Sequence, residues 1–347
     1  MRIVSLVPSA TEIVAALGLG ESLVGVTHEC DWPRDVIAGK PVVTSSLLPR
    51  DEGGVEPLVS GAIDERVRAA LKAGDSLYRI NHDLLKELKP DLVLTQGLCD
   101  VCAVNHKAVV AAVEALGEGV TVLDLTPTSL KGVLDSFRQV GAATNKVTEA
   151  ELLCAQVWAC WQAVKEKTTH ASEKPRTLLL EWSDPPYSAG HWNPELLTLA
   201  GATLAPWDEA GSVSRTLNWE DIRAFAPEMI VFIPCGFGVD RAIEEAYVLA
   251  DSEGWFELPA VKNGECYAVD GNSYFNRPGP RLAESAEILA TVLHPDRVTE
   301  MLPPYSVRRF PEELLDEEVL EKLLAEIAAQ QEAEEAEAAG TEESANS

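Results

Sequence analysis

Arg2-Ile-Val-Ser-Leu-Val-Pro-Ser-Ala-Thr-Glu12 sets a short apolar run against a proline and then opens a helical pattern. Ile3 to Leu6 reads as a strand bounded by a turn residue, and Ala10 to Leu17 as a helix. Ser9-Ala-Thr-Glu12 carries the Ser-x-x-Glu signature of a capped helix start. Working outward, apolar runs recur at Leu23 to Val26, Leu92 to Leu94 and Val120 to Leu125, with a further helical pattern at Val104 to Leu116. Strands that alternate with helices imply a mostly parallel sheet.

Two pieces interrupt this rhythm. Leu47 to Ser60, rich in Pro, Gly and charge, reads as a surface excursion, and Asp64 to Ala73 as a short helix. Leu84, Leu85 and Leu88 suggest another helix that stops at Pro90. From Val147 to Lys167 apolar residues fall at Ala150, Leu153, Val157, Trp161 and Val164, the spacing of one face of a long helix. A second alternating set follows: strands Thr177 to Leu180, Met229 to Ile233 and Cys266 to Val269, with helices Glu195 to Ala200, Trp219 to Phe225, Ala242 to Ala250 and Arg281 to Leu293. The fold class is therefore α/β, two Rossmann-like lobes with mostly parallel sheets joined by one long helix. Residues 1–126 form the N-terminal lobe, 127–174 the interlobe helical segment, 175–298 the C-terminal lobe and 299–347 an acidic helical or disordered tail. No short-period repeat is evident.

Composition agrees. A chain of 347 residues with 46% hydrophobic content exceeds the size at which one core keeps growing. The 56 acidic residues against 28 basic give a formal charge of -28, which repels phosphate backbones and anionic surfaces, so nucleic acid is not an expected partner. Thirteen of those acids lie between Glu312 and Ser347 against one Lys, and Gln330 to Ser347 has too little to bury to offset its ordering entropy. No stretch approaches the ~20 apolar residues of a membrane span. The apolar run after Arg2 is too short for a signal-peptide core, so a cytoplasmic, monomeric protein with reduced cysteines is expected.

In open α/β sheets ligands gather beyond the carboxyl ends of the strands. Those ends carry Pro8, His28-Glu-Cys30, Cys99-Asp-Val-Cys102, Trp182 to Tyr187, Cys235 and Tyr274-Phe275. Cys-x-x-Cys spacing lets two thiolates face one ion, and Cys30, Cys235 and His28 stand at other strand ends. A metal ion or Fe–S cluster on Cys30, Cys99, Cys102, Cys235 and His28 is thus one reading, small core cysteines the other; Cys154, Cys160 and Cys266 read as packing. Trp32, Trp182, Tyr187, Trp192, Tyr274 and Phe275 occupy loops, where a broad apolar ligand or an interlobe joint would cover them. Arg277 sits in a Pro- and Gly-rich turn suited to a ligand carboxylate, amide or phosphate, and Arg281 reads as structural. GxGxxG, Walker, G-x-S-x-G and H-E-x-x-H patterns are all missing, so a non-enzymatic role is expected.

The stretches Arg2 to Glu12, Leu23-Val-Gly-Val-Thr-His-Glu-Cys-Asp-Trp-Pro33, Leu88 to Leu94, Pro185 to Gly190 and Tyr274-Phe-Asn-Arg-Pro-Gly-Pro-Arg281 resemble the cobalamin and ferric-siderophore substrate-binding proteins of ABC importers, the helical-backbone class. Cys99-Asp-Val-Cys102 and Pro234-Cys-Gly-Phe237 are similar to a branch of that family without export signals. The resemblance implies a corrinoid or related tetrapyrrole in the interlobe cleft, touched by Pro8, Trp32, Tyr187, Phe275 and Arg277, with Trp182 and Tyr274 beside them. The family's Asp four residues before that Arg is here Ser273. The resemblance also places Asp83 and Glu220 at its permease-docking positions, where they read as ordinary exposed helix-start acids. A small-molecule ligand is the expected partner and permease docking is not. The competing expectation is a cytosolic metal or Fe–S protein that reuses the receptor fold.

Overall fold

The computed structural model describes residues 1–47, 59–73, 77–97, 106–114, 119–299 and 301–329. The N-terminal lobe runs β1 (Ile3–Ser5), α1 (Pro8–Ala16), β2 (Leu23–Gly25), α2 (Arg34–Ile37), β3 (Thr44–Ser46), α3 (Ser60–Ala73), β4 (Tyr78–Ile80), α4 (His82–Leu88), β5 (Leu92–Thr95), α5 (His106–Glu114) and β6 (Thr121–Asp124). Its main sheet is parallel throughout, in the order β2-β1-β5-β6. Ile3, Val4 and Ser5 are all buried, as a strand covered on both faces requires. β3 and β4 form a separate antiparallel pair, Thr44 opposite Ile80 and Ser46 opposite Tyr78.

α1 does not start on a Ser-x-x-Glu box. Pro8 fills the first helical position behind Val7, and no side chain caps the end. Proline lacks the amide a cap would satisfy and its φ suits that position. Glu12 is thereby released for another partner.

α6 (Leu130–Ala143) and α7 (Val147–Thr169) form the interlobe segment. The predicted long helix is α7; α6 precedes it, its first turn capped by Ser129, which accepts from the Gly132 amide. The C-terminal lobe continues with β7 (Thr177–Trp182), β8 (Tyr187–Ser188), α8 (Asn193–Leu199), α9 (Trp219–Phe225), β9 (Met229–Phe232), α10 (Val239–Ala250), α11 (Pro259–Lys262), β10 (Cys266–Val269), α12 (Leu282–Leu293) and β11 (Val307–Arg309). Its sheet runs β11-β10-β9-β7-β8, parallel in the middle with an antiparallel strand at each edge.

One apolar core serves both lobes. Ile3, Leu92 and Leu94 of the first sheet, Phe137, Val157 and Trp161 of α6 and α7, and Leu179, Val231 and Leu289 of the second lobe belong to the same buried cluster. Trp161 is fully buried and donates to the Leu282 carbonyl at 2.9 Å, so α7 is tied to α12 by packing and by a hydrogen bond. Each sheet has a second, private core on its other face.

The lobes share one more construction unit. Asn81 caps α4 and Asn218 caps α9, each through its side-chain oxygen to the amide three residues on. Both helices end on a left-handed residue, Lys89 and Ala226, followed by Pro, an acid and a buried strand. The acid receives the backbone amide that leads into the lobe's first strand: Arg2 to Asp91 at 2.7 Å, Arg176 to Glu228 at 3.0 Å. Each of these arginines also donates Nε to the end of its helix, Arg2 to Leu88 and Arg176 to Ala226.

Candidate functional site in the interlobe cleft

The segments that follow β1 and β2 meet the segment that follows β10. Gly271–Phe275 forms a single π-type turn, a rare geometry that often marks functional positions. Gly271 has to be glycine because a side-chain carbon would collide with the Ile233 and Pro234 carbonyls. Asn276 donates to those same carbonyls at 3.2 and 3.3 Å, and Asp270 accepts from the Ser273 amide at 2.7 Å. With the turn fixed at both ends, Arg277 points across to the N-terminal lobe.

There it is fully engaged. Arg277 donates from both arms to Asp31, at 2.5 and 3.0 Å, and reaches Glu12 at 3.4 Å, the Glu29 carbonyl at 3.3 Å and Asn272 at 3.0 Å. Burial opposes its charge, but Asp31 and Glu12 outweigh that and its pKa is raised. Glu12, with 3% of its side chain exposed, also takes two hydrogen bonds from Arg281, at 2.5 and 3.1 Å. Asn272 donates to Asp31 at 3.1 Å and completes the ring. Two guanidiniums of one lobe are thus matched by two carboxylates of the other. The charges close on each other, and fork-shaped donors meeting carboxylates make the strong kind of bond.

The sequence marks Arg277 as a polar contact but does not reveal its partners Glu12 and Asp31, or the Arg281–Glu12 pair beside them. By pattern alone Glu12 reads as a capping residue and Arg281 as structural. Asp31 stands in the stretch that ends at Pro33, where an acid directly before an exposed Trp is the available signal.

The aromatic expectations divide. Trp32, exposed, and Tyr274, half-buried, flank the Arg281 guanidinium at 5.6 and 5.5 Å from their ring centres. Pro8 is half-buried at the start of α1. Trp182 and Tyr187 are cross-strand partners in β7 and β8, and Trp182 leans on Phe237 at 5.4 Å. The Trp182 indole N–H is buried without a hydrogen-bond partner among the described residues. Phe275 departs from expectation. It is 0% exposed inside the shared core, and its carbonyl accepts from the Trp192 indole at 2.9 Å, so it packs the joint and offers no face to a ligand.

α3, inserted between β3 and β4, crosses the cleft and docks on the other lobe. Gly61 lies so close to Asp184 that any side chain would strike it. Ser60 and Ser183 are hydrogen-bonded at 2.8 Å, Ser183 donates to Glu245 at 2.7 Å, and the Ser60 amide donates to Glu245 at 3.1 Å. All three side chains are buried. Two turns later Arg68 donates to the Tyr187 hydroxyl at 3.1 Å and pairs with Asp64 at 2.6 Å. Burial raises the Asp64 pKa, with Asp184 adding to it and Arg68 opposing.

The metal reading does not assemble. Cys99 and Cys102 lie outside the described residues, and among the described residues no three His, Cys, Asp or Glu side chains gather as a metal site. Cys30 lies 3.0 Å from the Thr11 hydroxyl, and burial pushes its thiol pKa up to about 11, the opposite of what a thiolate ligand needs. The His28 Nδ1 lies 2.7 Å from the Thr44 hydroxyl, and its Nε2 lies 3.0 Å from the Glu29 carboxylate. Cys235 is half-buried in its strand-end loop. Cys154 and Cys266 are buried, as packing residues should be.

Comparison with known proteins adds four findings. The periplasmic binding protein family matches residues 3–272. An ABC transporter substrate-binding lipoprotein of Bacillus subtilis, YvrC, whose function is uncharacterised, is 29% identical over 86% of this chain and 82% of its own. The vitamin B12-binding protein of Vibrio cholerae is 24% identical over 84% and 88%. Among solved structures, a periplasmic heme-binding protein from Pseudomonas aeruginosa superposes with a TM-score of 0.66 at 18% identity, over 89% of this chain and 98% of that one.

Proposed function

Because this chain belongs to the periplasmic binding protein family, and so binds a solute without transforming it, we propose that its interlobe cleft receives cobalamin or a closely related corrinoid. The observation that carries this reading is the cleft itself, a closed ring of charge bordered by aromatic side chains from both lobes. A macrocycle presents wide apolar faces and a polar rim. Pro8, Trp32, Trp182, Tyr187 and Tyr274 offer the apolar and aromatic surface such faces need, and most affinity comes from their burial. The buried Trp182 N–H, which has no partner among the described residues, suits an acceptor on the ligand rim. Arg277 enters as one side of a filled network rather than as an open fork. The similarity to the Vibrio cholerae vitamin B12-binding protein supports the same ligand class.

Asp83 and Glu220 are the exposed helix-start acids expected of them, and they occupy the same place in the unit repeated between the lobes. Docking on an importer is ordinary for the family. We infer that these two acids are its contacts, one per lobe, toward a cationic face.

The decisive experiment is anaerobic purification with an absorption spectrum, followed by calorimetric titration with cyanocobalamin, hemin and a ferric hydroxamate. Saturable binding of one cobalamin per chain is expected. Binding of hemin or the ferric hydroxamate without binding of cobalamin would replace the corrinoid reading.

A further inference from the structure

The charge ring in the cleft carries a consequence for which corrinoid is accepted, and it rests on the corrinoid reading above. Both arms of Arg277 are filled: one meets Asp31 and Glu12, the other Asp31, Asn272 and the Glu29 carbonyl. Arg281 is held by Glu12 on one side and lies between Trp32 and Tyr274 on the others. Glu29 stands next to the ring beside His28, and Glu284 interacts with both Arg281 and Glu12. Within the ring itself the two guanidiniums are balanced by the two carboxylates. Of the four charged members of the ring Asp31 is the outermost, with 49% of its side chain exposed against 6% for Arg277.

We propose that Asp31 is a specificity-determining residue: it occupies the guanidinium a ligand carboxylate would seek, and so restricts the cleft to macrocycles whose rim carries neutral amides. An ionised carboxylate brought to this rim finds the Arg277 fork taken and meets Asp31 as a like charge in a partly desolvated place. A primary amide has the opposite relation to Asp31. Its N–H donates to the carboxylate's unused lone pairs. Rejection of the wrong ligand by a placed charge is a recognised route to selectivity. The alternative is that a ligand carboxylate simply displaces Asp31 from Arg277, and then no preference results.

Two probes with the same macrocycle separate these outcomes, dicyanocobinamide with amide arms and dicyanocobyrinic acid with carboxylate arms. Both are titrated into the full chain at neutral pH. The native protein should favour the amide form by about tenfold to a hundredfold, the range one misplaced charge commands. Asp31→Asn should bring the two within about threefold by strengthening the acid form, and Asp31→Glu should restore the preference. Circular dichroism of each variant controls for folding, and the selectivity of the native protein tests the proposal even if a variant does not fold. Equal affinity of the native protein for both corrins, or an unchanged ratio in Asp31→Asn, overturns the role of Asp31 alone. Binding of neither corrin overturns the corrinoid reading and this inference with it.

Discussion

Glu12 of the first helix and Arg281 of the second lobe, 269 residues apart in sequence, form a two-point ion pair at 2.5 and 3.1 Å with only 3% and 14% of their side chains exposed. Two charges taken out of water are tolerable only together. Glu12→Ala leaves both Arg281 and part of Arg277 uncompensated, and should lower unfolding stability by about 3–5 kcal/mol. Replacing the pair together, Glu12→Met with Arg281→Met, should recover most of that loss, because a well-packed apolar pair of similar volume needs no hydration to replace. Urea denaturation of both variants measures this. A double variant less stable than Glu12→Ala by the full separate cost of losing Arg281 would show that the two residues are not coupled.

The docking of α3 on the C-terminal lobe makes a separate prediction about local opening. Ser183→Ala removes the hydroxyl that joins Ser60 to Glu245 and leaves a buried carboxylate short of a donor, a loss of about 1–3 kcal/mol. That loss should fall on α3 rather than on the shared core. Hydrogen exchange followed by mass spectrometry should show the first turn of α3 exchanging faster, with α6 and α7 unchanged. Uniform protection across the variant would mean that this contact does not hold α3 in place.

Much of this fold could be read in advance because its strands are covered on both faces and so appear as unbroken apolar runs. All seven expected strands are present, and Trp219–Phe225 has the bounds the sequence suggests. The missed strands have no such signature. β3 is Thr-Ser-Ser, β8 is two residues long, and β11 is Val-Arg-Arg on an edge. The unit shared by the lobes escaped because insertions of different length separate its first strand from its helix, so no fixed period survives. At the site, residue types were legible and partners were not. Arg277 declares itself by its rigid turn, whereas Glu12 fits a capping motif until Pro8 is seen to begin the helix. The Ser60, Ser183 and Glu245 cluster joins three distant segments, and a local pattern carries no trace of that.

Cys30 offers a test of whether the cleft thiol is reactive. Burial raises its pKa from 9.0 to about 11, with the Thr11 hydroxyl and the Thr27 backbone pulling the other way. Below pH 9 it is a neutral thiol in the folded chain, and the stability this contributes is lost only as pH rises through about 11. Alkylation of Cys30 by iodoacetamide at pH 8 should therefore run about a hundredfold slower than for an unhindered thiol of ordinary pKa. Cys30→Ser should leave corrinoid affinity within about twofold, since a hydroxyl keeps the bond to Thr11. Rapid labelling at pH 8, read by mass spectrometry, would restore the case for a thiolate in the cleft.

Asp208 makes the chain's stability depend on pH in a window that other groups leave open. Burial raises its pKa from 3.8 to about 7, against the opposing pull of the Ala205 amide and Arg215. A pKa raised on folding means that the stabilising form is the protonated one. Its contribution is complete below pH 3.8 and disappears as pH rises through about 7. His191 and His294 act in the opposite sense: burial lowers their pKa below 6.5, so they reduce stability as pH falls below that value. Cys30 and its like act only above pH 9. Between pH 6.5 and 8 Asp208 therefore lowers stability as pH rises, and the native chain should lose roughly 0.5 kcal/mol across that range once partial solvent access is allowed for, most of the group's effect lying below pH 7. Asp208→Asn keeps an oxygen for the Ala205 amide and carries no charge, so its unfolding free energy should be flat over the same range. Urea denaturation at half-unit steps of pH decides the point, and parallel slopes for the two proteins would assign the titration to another group.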